Sequence, residues 1–201
     1  HRLTGAARAA MGTRLALVRL LDRKPVEALN ALEISQSGEL GAELRLERTR
    51  LEARALADLG RAREAIQRLE GDLAPDAERL RLEIQWRSED WAAAADSIGR
   101  LMGENYVGFV IDDEQARRIV HLAVVLALAG DEAGLRRTRE RFGPAIEHGP
   151  YKSIFATLTT HPLGVVPEVG QIAGHLAAAA PLQSFLATYR SRIAGAVPAG
   201  G

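Results

Sequence analysis

The sequence predicts an all-α fold, and three observations carry that prediction. Apolar residues recur at helical spacing along most of the 201-residue chain. No segment shows the apolar–polar alternation of a β-strand, and the one β-like run, NYVGFVIDD at 105–113, is interpreted as a loop. Aromatic residues make up only 4% of the chain, so the core has to be built from Leu, Ala, Val and Ile, which suits close helix packing.

The periodicity and the punctuating residues predict eleven helices. Pro25 and Pro181 stand where the first turn of a helix tolerates proline. Asp131 directly after Gly130 combines a helix stop with a cap for the next helix. The predicted helices span 4–22, 25–35, 39–59, 61–71, 74–87, 89–102, 112–129, 131–142, 150–160, 167–179 and 181–195.

One glycine interrupts the helix-forming stretch LEARALADLGRAREAIQRL at 51–69. We interpret the stretch as two amphipathic helices joined at Gly60, which takes the left-handed conformation that ends the first helix. Ala53 and Ala65 are small, so the two antiparallel helices can approach closely. The apolar stripes are formed by Leu40, Leu44, Leu51, Ala55 and Leu59, and by Ala65, Ile66 and Leu69.

The helix-turn-helix pattern repeats along the chain in a degenerate form. It recurs at 20–32, 56–69, 85–102 and 125–142. Each copy has one residue, here called the pivot, at a matching position of its second helix. The pivots are Ala28, Ala65, Ala94 and Leu135. Because one helical hairpin cannot bury its apolar faces alone, such copies are expected to stack on their neighbours.

The segment LGRAREAI at 59–66 resembles the helix-turn-helix core of the tetratricopeptide-repeat family. DWAAAADSI at 90–98 is similar to the second helix of a further repeat, with Trp91 at the bulky site and Ala94 at the small one. The resemblance is specific over 47–101. It implies a right-handed α-solenoid of hairpins with a helical C-terminal cap, whose concave face binds a partner. The matching residues are Ala53, Ala55, Leu59, Gly60, Ala65, Ile66 and Leu69.

The chain departs from the family pattern at two places and changes in composition near its end. Glu52 stands where the family has an apolar residue, and the turn before Trp91 lacks glycine. The last 57 residues hold only three cations and two anions. We therefore divide the chain into a repeat array of about four hairpins at 1–142, a charge-poor helical cap at 143–195 and a disordered tail at 196–201. The alternative for 143–195 is an exposed apolar surface for a partner or a second copy.

Charged residues recur every three or four positions on two predicted helices. They are Glu47, Arg50, Arg54 and Asp58 on one helix, and Asp76, Arg79, Glu83 and Arg87 on the other. They are either a solvated, ion-paired helix surface or, as the resemblance implies, the lining of the concave groove, where they would bind a peptide by charge-assisted hydrogen bonds.

Trp86 is added to these groove candidates because tryptophan is enriched among residues that dominate binding energy. The alternative is burial in the core, because Leu80 and Ile84 share one face of the predicted helix while Leu82 and Trp86 share another. Trp91 is interpreted as a core residue wedged between hairpins.

The sequence offers no catalytic, metal or cofactor motif. It has no phosphate loop, no nucleophile elbow and no HExxH, and its carboxylates at 89–90 and 112–113 are interpreted as helix caps. No two histidines have helical metal-ligand spacing, and His121 is expected to be a hydrogen-bonded core residue. The absence of cysteine excludes disulfides, and the zero net charge gives no support for nucleic-acid binding. No apolar run reaches the ~18–20 residues of a membrane span.

These observations predict a protein–protein interaction scaffold rather than an enzyme. We expect a bacterial adaptor module within an envelope or motility assembly, in the periplasm or the cytoplasm with the periplasm favoured. Because the chain starts at His1, we expect it to be part of a larger chain. Two alternatives stay open: an accessory superhelical domain of a cell-envelope enzyme, and a homo-oligomerisation module acting through 143–195.

Overall fold

The computed structural model describes residues 5–38, 40–103 and 111–160, and this part of the chain is all-α. It contains nine helices and no strand, as predicted. The predicted helices at 167–179 and 181–195, and most of the predicted loop at 105–113, lie outside the described residues. The helices are α1 (Gly5–Leu21), α2 (Pro25–Ile34), α3 (Ala42–Asp58), α4 (Ala62–Arg68), α5 (Pro75–Arg87), α6 (Trp91–Met102), α7 (Asp113–Ala129), α8 (Glu132–Ile146) and α9 (Lys152–Thr160).

The predicted helix boundaries are close to the observed ones, with one clear difference at the end of α8. The prediction ended this helix at 142, but it continues through Pro144 to Ile146. Phe142 and Ile146 lie one turn apart and are both buried, so the additional turn places a further apolar side chain in the core.

The chain forms two compact units, the first ending at Ile84 and the second beginning at Gln85. In the first unit, α1 packs on α2, α2 on α3 and α3 on α4, and α3 also packs on α1. In the second unit, α6, α7, α8 and α9 pack in order in the same way, and α9 also packs on α7. Because α9 is the only described helix of the predicted cap, the division at 142 stays a prediction.

Four helix-to-helix junctions share one hydrogen-bonded turn. The residues at the centre of these turns, Arg23, Gly60, Glu89 and Gly130, all have positive φ, between 57° and 78°. At each turn the central N–H binds the carbonyl three residues back at 3.0–3.2 Å, and the following N–H binds the carbonyl five residues back at 2.8–2.9 Å. This is the Schellman pattern, which satisfies carbonyls that the end of a helix leaves without partners.

The turns place the predicted pivot residues at equivalent points. Ala28, Ala65, Ala94 and Leu135 each lie five residues after the left-handed position and donate to the carbonyl four residues back. The three alanines are 0% exposed and Leu135 is 4% exposed. The four turns are therefore alike in backbone hydrogen bonding, although the spacing between pivots varies.

The buried guanidinium of Arg48 connects α3 to the two preceding helices. It donates to the Ala9 carbonyl (2.9 Å) and the Thr13 hydroxyl (3.1 Å) of α1, and to the Leu32 carbonyl (2.5 Å) and the Ser35 hydroxyl (3.1 Å) at the end of α2. Burial lowers the pKa of Arg48, and the nearby Glu52 carboxylate opposes that change. The charge is stabilised by oxygens at the carbonyl end of α2, where the helix dipole is negative.

A glycine makes room for this contact between α1 and α2. A Cβ atom added to Gly12 would lie 1.9 Å from the Ser35 hydroxyl oxygen, so any larger residue would displace Ser35. Ser35 also donates to the Ala31 carbonyl at 2.6 Å. Because α1 and α2 approach closely at Gly12, the Ser35 hydroxyl lies where it can accept a hydrogen bond from Arg48.

We predict that Glu89→Gly stabilises the protein by about 0.5–1 kcal/mol, because glycine adopts the left-handed conformation without the steric cost that a Cβ atom imposes. Glu89→Ala, which removes the carboxylate but keeps the Cβ atom, should give no gain. Urea denaturation of both variants measures the difference. Equal stability of the two variants would contradict a backbone origin for the effect.

We predict that Arg48→Met destabilises the protein by about 2 kcal/mol, because buried carbonyl and hydroxyl oxygens lose their donor. The matched control is Arg45→Met, an exposed arginine on the same helix, which should change stability by less than about 0.5 kcal/mol. Thermal and urea unfolding of both variants provides the comparison, and similar values for the two would rule out this role of Arg48.

Candidate functional site

The structure joins the two predicted rows of charged residues through a buried ion pair. Arg54 of α3 donates to Glu83 of α5 at 2.6 Å and to both oxygens of Asp58, one turn along its own helix, at 3.1 Å. Arg54 is 7% exposed and Glu83 is 1% exposed. These side chains hold the two helices together, and their direct role in partner binding stays a prediction.

A second ion pair lies at the loop between α4 and α5. Arg50 binds Asp72 with two parallel hydrogen bonds of 2.7 and 3.0 Å, the bidentate geometry that favours arginine over lysine. Burial alone would raise the pKa of the Asp72 carboxyl, but the bonds from Arg50 and from the Ala74 N–H hold that pKa below its usual value.

Sequence reasoning did not identify Asp72 or Arg81 as part of this network. Arg81 is buried, pairs with Glu78 at 2.5 Å and donates to the carbonyls of Leu69 and Asp72. The local signal was the turn sequence EGDLAPD at 70–76, where Asp72 follows a glycine of positive φ. Which arginine this aspartate binds depends on the packing of helices distant in sequence.

The remaining predicted groove residues are more accessible. Glu47 is half-buried, and Arg87 is exposed. Arg79 retains 41% side-chain exposure while pairing with Asp76 at 2.8 Å. Arg54 and Glu83 are thus the least accessible of the predicted groove residues.

Trp86 lies in an aromatic cluster with Trp91 and His121. Trp86 is 8% exposed, and its ring meets that of Trp91 edge-on at 5.5 Å between centroids. The His121 ring lies 6.2 Å from that of Trp86. The core placement considered for Trp86 is observed, and the two apolar pairs Leu80/Ile84 and Leu82/Trp86 are all buried, as expected. The polar residues between them, Arg81, Glu83 and Gln85, are buried as well.

His121 is a buried core residue, as predicted, but the expected hydrogen bond at Nε2 is missing. Nε2 has no hydrogen-bond partner among the described residues. Burial, with a smaller contribution from Arg117, lowers the pKa of His121 from 6.5 to about 4. The ring is therefore neutral at physiological pH.

Each unit also has an open groove among its helices. In the first unit, a cavity of about 480 Å³ lies among α2, α3 and α4 and carries charged residues that include Arg45, Arg61, Glu64 and Arg68. In the second unit, a cavity of about 550 Å³ lies among α6, α7 and α8. Both volumes fall within the roughly 300–1,000 Å³ typical of ligand pockets.

We predict that stability falls as the pH drops from about 6.5 to about 4, by up to about 3 kcal/mol from His121 alone. Its pKa is depressed in the folded state, so the unfolded chain binds more protons in that window, and stability therefore decreases on acidification. Urea denaturation across this pH range should show a smaller decrease in the free energy of unfolding on acidification for His121→Leu. The control His148→Asn, an exposed histidine outside the cluster, should keep the loss. An unchanged profile in His121→Leu would contradict the assignment.

The described residues show neither a metal site nor a membrane-crossing helix. No group of three or more His, Cys, Asp or Glu side chains in this part of the chain could hold a metal ion. Among the same residues, none of the helices has the length and apolar character needed to cross a bilayer. Comparison with known proteins found no matching family model, no matching curated protein and no matching solved structure.

Proposed function

We propose that the chain is a helical-repeat scaffold that binds another protein or peptide. In this proposal its hairpins stack as a right-handed α-solenoid of the tetratricopeptide type. The partner lies along the face of α3 and α5 that carries Glu47, Arg50 and Arg79. An envelope or motility assembly of a bacterium, on the periplasmic side, is the setting we favour on the sequence resemblance alone.

The observation that carries the proposal is the turn that recurs at four helix junctions. A positive φ recurs at Arg23, Gly60, Glu89 and Gly130, and a buried pivot follows each time. A stack of similar hairpins requires such a recurring turn. Within each unit, helices pack mainly on their neighbours in sequence, which is the contact pattern of repeat arrays. Such arrays present extended surfaces suited to binding other chains.

The structure also determines which variants can test the binding face. Reversing the charge of Arg54 would leave Glu83 buried without this partner, so a lost interaction could reflect unfolding. Arg79 and Arg87 lie about two turns apart on α5 and are both accessible. Reversing their charges leaves the buried Arg54–Glu83 pair in place.

We predict that this chain, used as bait in a lysate of its source organism, captures a specific protein that an Arg79→Glu/Arg87→Glu bait loses. The matched control bait, Arg14→Glu/Arg63→Glu, changes the net charge equally on exposed sites of α1 and α4 and should retain the partner. Quantitative mass spectrometry compares the three baits, and their melting temperatures confirm folding.

Capture by none of the baits would contradict the scaffold proposal. Equal capture by all three would retain the scaffold but contradict the α3–α5 face as its binding site.

A further inference from the structure

The groove among α6, α7 and α8 has an apolar floor; we call it the α8 groove. Leu122 and Leu126 of α7 and Phe142 of α8 line it together with Ala92 and Ala95 of α6. Leu126 and Phe142 are 7% and 5% exposed, so the floor is continuous with the core of the second unit. A groove of about 550 Å³ with such a floor can accept apolar side chains from another molecule.

Two arginines of α8 form one wall of the α8 groove, while Asp96 of α6 and Asp131 also line it. Arg137 and Arg141 lie one helical turn apart on α8 and both line the cavity. The Arg137 side chain is 71% exposed, and its nearest carboxylate oxygen, on Asp131, is 3.8 Å away, beyond hydrogen-bond distance. Asp131 already caps α8 by accepting from the Gly134 N–H at 2.7 Å. The Arg141 guanidinium lies over the Phe142 ring at 5.0 Å and meets no carboxylate of the described residues.

The groove in the first unit holds its arginines differently. Counted from the left-handed glycines Gly60 and Gly130, equivalent positions line both cavities. The first groove contains Glu64, four residues after its glycine, and Glu52, eight residues before it. These carboxylates bind arginines of the same groove: Glu64 binds Arg61 at 2.6 Å, and Glu52 binds Arg68 at 3.3 Å.

In the second unit the positions equivalent to Glu64 and Glu52 hold Gly134 and Leu122, and those equivalent to Arg61 and Arg68 hold Asp131 and Thr138. Both ion pairs of the first groove are thus absent from the second, and its two arginines stand at other positions of α8. Leu122 and Gly134 leave the floor open and apolar, and the exposed Arg137 can reach an external acceptor. Arginine is well suited to that role, because its planar donors match a carboxylate in geometry.

We propose that the α8 groove docks a peptide segment of a partner protein that carries one or more apolar side chains beside acidic residues. The apolar side chains fill the floor, and the carboxylates bind Arg137 and Arg141. This inference rests on the proposed scaffold function and specifies the chemistry of one partner segment.

The test is a selection of short random peptides displayed on phage against the 201-residue chain. Enriched sequences should pair Leu, Ile or Phe with a nearby Asp or Glu. The affinity of a synthetic enriched peptide, measured by fluorescence anisotropy, should fall at least about tenfold in Arg137→Glu/Arg141→Glu and should weaken with rising salt. Ala92→Trp, which places a large ring in the groove at an exposed position, should also reduce binding.

The matched control is Arg136→Glu/Arg139→Glu, which makes the same charge change on exposed positions of α8 outside this groove. It should bind the peptide with unchanged affinity. Enriched peptides without acidic residues, or equal losses in the two double variants, would overturn the inference. Two further results would overturn it. One is a labelled oligothymidine that binds the chain when peptides do not, and that no longer binds the Arg137→Glu/Arg141→Glu variant. The other is a dimer, detected by light scattering, that dissociates only in this variant.

The two proposals fail in different ways. A natural partner retained by an Arg137→Glu/Arg141→Glu bait, together with no acidic peptide enriched, would overturn the α8-groove inference and leave the scaffold proposal standing. Failure to capture any natural partner would count against the scaffold proposal itself.

Discussion

The architecture depends on a backbone constraint: a residue with positive φ ends a helix and begins the next one within a few residues. Two hydrogen bonds hold each of these turns, and they are the same at all four junctions. Because the turn fixes where the following helix starts, it also fixes which side chain becomes the buried pivot. Two junctions use glycine, while Arg23 and Glu89 adopt the same conformation at a steric cost. Backbone geometry is thus repeated more faithfully than amino-acid identity.

The first unit combines this framework with buried arginines that are stabilised in two ways. Arg48 is surrounded by carbonyl and hydroxyl oxygens, whereas Arg54 and Arg81 bind carboxylates. A buried guanidinium is tolerated only where several acceptors compensate for its lost hydration. These contacts specify how helices pair, since a shifted register would leave a charge without its acceptors. The chain's preference for arginine over lysine is consistent with this use, because one planar group can reach acceptors on several helices.

The grooves of the two units differ in chemistry. In the first unit, Glu52 and Glu64 neutralise the arginines of their own groove. In the second, Leu122 and Gly134 occupy the equivalent positions, and the groove combines an apolar floor with two arginines of α8 and the carboxylates of Asp96 and Asp131. The difference in chemistry therefore lies in the side chains that line each cavity.

The sequence by itself determined the helices, the turn at Gly60, the caps at Asp112 and Asp131, and the pivots, because these depend on local hydrogen bonding and on apolar periodicity. Only the tertiary structure decided which charged residues are buried. Arg54 and Glu83 have the spacing of surface residues along their helices, yet they meet across 29 positions of sequence. Periodicity shows which residues share a face, but it does not show what packs against that face. The grooves could not be predicted for the same reason: each one is formed by three helices, and their packing brings together residues that are distant in sequence.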